Sequence, residues 1–208
     1  MSVKFGNITI KISFSFAVFL AFAANIAGGS NLLLSFLFSF LHEVVHLIFL
    51  RLSGIKKAEI ILFPAAVKIC CEGLALLSYK KTIIATLSAP VFNISAGAVF
   101  AFLYGASGND IMKLCCTVNL LLGAVNLLPL SFLDGGRALS AWLFNRYEEV
   151  RVQKITGISG IAALAVLFLC FLAGVFMGKV QIFLLFFCIY CLVGTVSSNA
   201  KDIEIASV

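Results

Sequence analysis

The sequence predicts an all-α polytopic membrane protein of about six transmembrane helices, with a short membrane-associated β-hairpin loop after the second, as a single domain over residues 1–208. Three observations lead there. The 208 residues are 62% apolar and 12% charged, with a mean hydropathy of +1.13, whereas soluble domains run near half apolar and a quarter charged. The apolar residues fall into runs close to the about 20 residues a spanning helix needs. The basic residues concentrate in the segments on one side of the runs, thirteen of fifteen, the asymmetry expected of membrane topology.

Spans are expected at roughly 12–28, 31–51, 82–104, 111–130, 157–177 and 180–198. Gly28, Gly54, Gly105, Gly108, Gly178 and Lys179 punctuate their ends. Lys4 and Lys11 ahead of the first run also fit a signal peptide, but the run passes straight into a second span. With six spans, Lys4 and Lys11, the six basic residues from Arg51 to Lys81, the four from Arg137 to Lys154, and Lys201 lie on one side. Lys113 and Lys179 are the two of fifteen on the other. Both termini are therefore expected in the cytoplasm. The net charge of +6 is then a matter of topology, and nucleic acid is excluded as a partner.

Between the spans, Lys57–Phe63 and Ala65–Ile69 flank Pro64 and read as two β-rich runs joined by a turn. Residues 137–154 carry Trp142, Tyr147 and several charges among apolar positions, the pattern of an interfacial helix. The seven cysteines mostly sit in apolar runs as small apolar side chains. Cys188 and Cys191 form a C-x-x-C inside a span, and Cys70 and Cys71 in the loop are the candidate thiol ligands.

The chemistry-bearing pattern lies in the second span. His42-Glu43-Val44-Val45-His46 contains both histidines of the chain. On a helix, residues i and i+4 share a face, so both imidazoles can reach one metal ion, and Glu43 can serve as a base toward a water the metal activates. At about 1.5 Å per residue, His46 lies about 7 Å and His42 about 13 Å below the end of the span at Arg51. Ionisable groups at such depth are costly and mark function. The bland alternative is a histidine pair hydrogen-bonded between helices.

A catalytic zinc usually takes three protein ligands and keeps one position open. Of the nine acids, Glu43 is the candidate base. Glu59 and Glu72 are in the loop, Asp110 is on the opposite side, Glu148 and Glu149 are in the surface segment, and Asp202 and Glu204 are in the tail. Asp134 remains, just past the end of a fourth span that runs in the same direction as the second. Pro129 breaks the helix there. Asn126 is placed to satisfy a freed backbone group, and Gly135 and Gly136 permit a tight turn. An ordinary Asp-Gly-Gly turn at a helix end is the alternative.

Together these residues resemble the site-2 protease (M50) family of intramembrane zinc metalloproteases. His42-Glu43-Val44-Val45-His46 matches the family's first motif. Asn126-Leu127-Leu128-Pro129 with Leu133-Asp134-Gly135-Gly136 matches its second, N-x-x-P-x-x-x-L-D-G. Ala89-Pro90-Val91-Phe92-Asn93 is similar to its Gly-Pro-x-x-Asn, with alanine for the usual glycine. The likeness is to the small six-span branch that includes a bacterial sporulation protease (the sporulation-factor IVFB type), without a CBS or PDZ domain.

The resemblance implies one zinc ion (Zn2+) held by His42, His46 and Asp134, with Glu43 as base. It implies a membrane-bound protein substrate cut within or near its transmembrane segment, releasing a transcription or sigma factor, with a membrane regulator or inhibitor as a further partner. The hairpin would pair with an unwound substrate segment, Phe63 being a candidate substrate contact; a hairpin resting on the headgroups is the alternative. Asn93 and Asn126 are the candidates for steadying the oxyanion. The rival readings are a metal or proton transporter, an inactive scaffold relative, and a hydrolase of lipid head groups. The outer half of the spans is nearly empty of polar residues, which disfavours transport.

Overall fold

The computed structural model describes residues 2–5, 8–12, 29–55, 58–63, 66–71, 77–177, 185 and 187–195. Residues 13–28 of the expected first span, residues 56–57, 64–65 (with Pro64) and 72–76 of the loop, the tail and part of the expected sixth span lie outside these. The chain divides into two compact units, Met1–Val125 and Asn126–Val208.

In the first unit, β1 (Ser2–Phe5) and β2 (Ile8–Ile12) precede helix α1 (Gly29–Leu52). Strands β3 (Ala58–Phe63) and β4 (Ala66–Cys71) follow, then α2 (Tyr79–Ser107) and α3 (Asp110–Asn126). The four strands form one sheet in the order β1-β2-β3-β4. β3 and β4 are antiparallel, with Phe63 opposite Ala66 and Ala58 opposite Cys71. β2 runs parallel to β3, with Ile8 opposite Ala58. The sheet is larger than the hairpin expected from sequence, because residues 2–12 add two strands where a basic flank was expected. Ile8-Thr9-Ile10-Lys11-Ile12 does alternate apolar and polar with the period of a strand.

Helices α1 and α2 are antiparallel neighbours. Phe38 meets Phe100 edge-on at 5.6 Å between ring centroids, and at the other end Leu50 packs with Ala85, Ile55, Phe49 and Leu77. Their contact follows a stripe of α2 at every fourth residue, Ala85, Ala89, Asn93 and Gly97, all buried. Such spacing lines one helix face, and small residues on it let backbones approach closely, the usual device between membrane helices. α3 packs on α2 by the same means. A Cβ on Gly97 would fall 2.7 Å from Leu120 Cγ, and one on Gly123 would fall 2.8 Å from Ile94 Cγ1 and 3.1 Å from the Pro90 carbonyl oxygen. Gly97→Ala is therefore expected to destabilise the unit by about 1–3 kcal/mol, the usual cost of overpacking a filled site. Gly105→Ala, with open space around the added carbon, should not. Thermal unfolding in detergent measures the difference.

Three described helical segments are long and apolar enough to cross a membrane: Asn31–Leu52, Tyr79–Ser107 and Glu149–Phe176. The expected fourth span is shorter than 111–130. α3 has 17 residues and stops at Asn126, three residues ahead of Pro129, whose ring and missing N–H bar a helix from continuing through it.

The second unit holds α4 (Asp134–Phe144) and α5 (Glu149–Phe176), followed by helical residues 187–195. The surface helix expected at 137–154 is in fact two pieces. α4 ends at Phe144, and Glu149 already begins the long apolar helix that was expected only from residue 157. The aromatic and basic residues of this junction are paired: Arg146 stacks 4.9 Å over Trp142 and Arg151 lies 5.6 Å over Tyr147, contacts that suit side chains at a wet boundary. In the unit's interior Leu130, Val152 and Cys191 are fully buried, and Phe132 meets Tyr190 edge-on at 5.9 Å.

Candidate metal centre

Helix α1 places His42 and His46 one turn apart. Both are nearly buried, at 4% and 8% exposure, and their rings stand edge-to-face with centroids 4.8 Å apart. α2 supplies a hydrogen-bond partner for each imidazole. His46 Nδ1 is 2.8 Å from the Ala85 carbonyl oxygen. A backbone carbonyl only accepts, so Nδ1 carries the proton and Nε2 keeps its lone pair. His42 Nδ1 is hydrogen-bonded to Oδ1 of Asn93. Ala85 and Asn93 lie two turns apart on the same stripe of α2, and the histidines they meet lie one turn apart on α1.

Asn93 does not stand alone. It is fully buried, and its Nδ2 donates to Asn119 Oδ1 at 2.9 Å. Asn119 on α3, also fully buried, donates from Nδ2 to the Cys115 carbonyl oxygen at 2.8 Å. Both ends of the Asn93 amide are thus engaged within the helices. Asn119 was not singled out from the sequence. The available signal was an amide inside the otherwise apolar run Val118–Leu122, since a polar group in such a run needs a partner on another helix.

Glu43 is partly buried. At about 100° per residue it projects about 60° around the helix from His46. That leaves it beside the histidine face rather than opposite it.

In the second unit, Asp134 is the first residue of α4 and is 6% exposed. The unpaired amides of a helix's first turn favour a carboxylate there. The backbone before it is folded tightly: Leu130 N donates to the Leu128 carbonyl and Leu133 N to the Leu130 carbonyl, both at 2.8 Å. Gly135 and Gly136 lie directly on these carbonyls. A Cβ would meet Leu127 O at 2.2 Å from Gly135, and Leu130 O at 2.0 Å from Gly136. Neither glycine has positive φ, so the glycines serve close approach and not an unusual backbone angle. Asn126 ends α3, partly buried. Phe63 ends β3, and Cys70 and Cys71 lie on β4, with their side chains outside the described set.

The first unit thus brings together His42, His46 and Asn93, with Asn119 added. Asn126 and Asp134 belong to the second unit. His42, His46 and Asp134 each offer one ligand atom of a kind that can hold a divalent metal ion.

A family model described as Peptidase family M50 matches residues 65–170, just over half of the chain. The matched stretch begins after the histidine pair and contains Asn93, Asn119, Asn126 and Asp134. Among solved structures, the chain is similar to a site-2 protease from Methanocaldococcus jannaschii, with a TM-score of 0.64 and 22% identity, over 95% of this chain and 94% of that one. No curated protein sequence matches.

Proposed function

The chain belongs to peptidase family M50, and from that premise we propose that it cleaves a membrane-bound protein within or near its transmembrane segment, with His42, His46 and Asp134 holding one zinc ion and Glu43 as the base. It is a membrane metallopeptidase. The single observation that carries the site assignment is the histidine pair inside a spanning helix, with His46 Nδ1 bonded to the Ala85 carbonyl so that Nε2 is the nitrogen with the lone pair. Each of the three residues offers one ligand atom: an imidazole nitrogen from each histidine and a carboxylate oxygen from Asp134.

When bound, zinc supplies the Lewis acidity that makes water a nucleophile near neutral pH. The Glu43 carboxylate takes a proton from the attacking water as its oxygen bonds to the peptide carbon. Glu43 then returns that proton to the amide nitrogen as the C–N bond breaks. The buried surroundings of His42 and His46 strengthen these charge interactions by excluding bulk water. Asn126 and Asn93 are the side-chain candidates for the developing oxyanion, Asn93 with its amide already bonded to His42 and Asn119.

A helical substrate hides its amides, so the scissile segment must unwind. β4, the edge strand next to β3, is the candidate surface for the extended chain, with Phe63 opposite its first residue, Ala66. Six spans, cytoplasmic termini and a site opening to the cytoplasm complete the proposal. A membrane-tethered transcription or sigma factor is the substrate class that such a cut would activate, and a membrane regulator would restrain the enzyme.

The test is reconstitution of the purified protein in vesicles with a tagged single-span substrate. Cleavage is expected, stopped by a zinc chelator and regained on adding zinc. Cleavage that continues in the fully chelated sample would overturn the proposal.

A further inference from the structure

We propose that Asn119 and Asn93 form an amide relay, anchored on the Cys115 carbonyl, that sets which nitrogen of His42 is available to a metal. The inference rests on the ligand assignment above, and it concerns positioning residues, since neither amide touches the ion.

The direction of every bond in the relay follows from its far end. The Cys115 carbonyl can only accept, so the atom of Asn119 facing it is the NH2 group, 2.8 Å away. That turns the Asn119 carbonyl oxygen toward Asn93, which must answer with its own NH2 at 2.9 Å. Asn93 is then left with its carbonyl oxygen facing His42 Nδ1. An oxygen acceptor there requires a proton on Nδ1, and a neutral imidazole protonated at Nδ1 has its lone pair on Nε2. Remove the anchor and the Asn93 amide is free to turn over. It would then present N–H to Nδ1, draw the lone pair to that nitrogen and leave a proton on Nε2, where a metal cannot bind.

His46 has no such freedom, because its partner is a backbone carbonyl. The two ligands are thus held by different means. One is fixed by the main chain, and the other by two side chains that must agree. All four polar atoms of the relay lie in fully buried amides, where an unmatched donor or acceptor is costly. That cost makes the preference strong. Gly97 and Gly123 bring α2 and α3 close enough for the bond between the amides.

The chain has two histidines, so ring-nitrogen NMR of metal-free protein, histidine-labelled with 15N in detergent at about pH 8.5 where imidazoles are neutral, resolves the matter directly. In the wild type both rings are expected protonated at Nδ1. In Asn119→Leu, one ring should shift toward the Nε2–H form and the other should not. Zinc affinity, measured by chelator competition, should fall about 10–100-fold, the usual effect of losing an outer partner of a metal-bound histidine.

Adding Asn93→Asp to Asn119→Leu supplies an acceptor that cannot turn over, and should return both the Nδ1–H form and most of the zinc affinity. An unchanged tautomer in Asn119→Leu would overturn the relay, and so would a loss of affinity that Asn93→Asp fails to restore, since that marks a packing role. Neither readout involves peptide cleavage. Failure of the protease reading would show as absent cleavage with tautomer and zinc behaving as stated.

Discussion

Glu43→Gln is expected to lower peptide cleavage by about 10²–10⁴-fold, the range a general base contributes, while leaving bound zinc at the wild-type level. Glutamine keeps the size and shape of Glu43 but cannot take a proton from water. Glu43 lies beside the face that carries His42 and His46 and is not one of the three proposed ligands, so the metal should stay. Asp134→Ala should behave differently, losing zinc and cleavage together. The two variants therefore separate base from ligand. Cleavage by Glu43→Gln at the wild-type rate would remove the base assignment. Zinc retained by Asp134→Ala would remove that residue from the ligand set.

The second large effect is expected at Gly136. A methyl group there would sit 2.0 Å from the Leu130 carbonyl oxygen and 2.9 Å from Ser131 N. Both are main-chain atoms, so no side chain can rotate away and the turn leading into α4 must move. Overpacking costs about 1–3 kcal/mol where side chains can adjust, and Gly136→Ala should lie at or above the top of that range. Because Asp134 starts the same helix two residues earlier, its carboxylate should move as well, and zinc should be lost even from the fraction that remains folded. Gly160→Ala is the contrast, since its nearest neighbour, the Pro129 carbonyl oxygen, is at an ordinary 3.5 Å. Unfolding temperature and zinc content of the purified variants are the measurements. Wild-type values for Gly136→Ala would show that the turn tolerates what its geometry forbids.

Much of the candidate site was legible in the sequence because its signals are local. Two histidines at helical spacing in an apolar run declare a shared face without knowledge of any other helix, and the scarcity of acids singled out Asp134. The reason for the glycines after Asp134 was only half visible. A tight turn was expected, but the demand comes from the carbonyls of Leu127 and Leu130 pressing on Gly135 and Gly136, a contact that spacing does not reveal. Asn119 was passed over for a similar reason. Its role depends on pairing with Asn93, 26 residues away on another helix, and a single amide in an apolar run does not name its partner. The strands at residues 2–12 were hidden by their length and by lysines that read as a topological flank, although Ile8, Ile10 and Ile12 alternate. The boundary between α4 and α5 was misplaced because charges at 148–154 suggested surface, whereas the helix simply begins wet and continues into its apolar run.

The most direct test of the central claim, that His42, His46 and Asp134 hold the catalytic metal, is zinc X-ray absorption spectroscopy on the purified protein, with Glu43→Gln present to prevent self-cleavage. The expected spectrum shows one zinc per chain with nitrogen and oxygen neighbours at about 2.0–2.2 Å and the multiple scattering of two imidazoles. A sulfur shell at about 2.3 Å, or a protein that takes up no zinc, would contradict it.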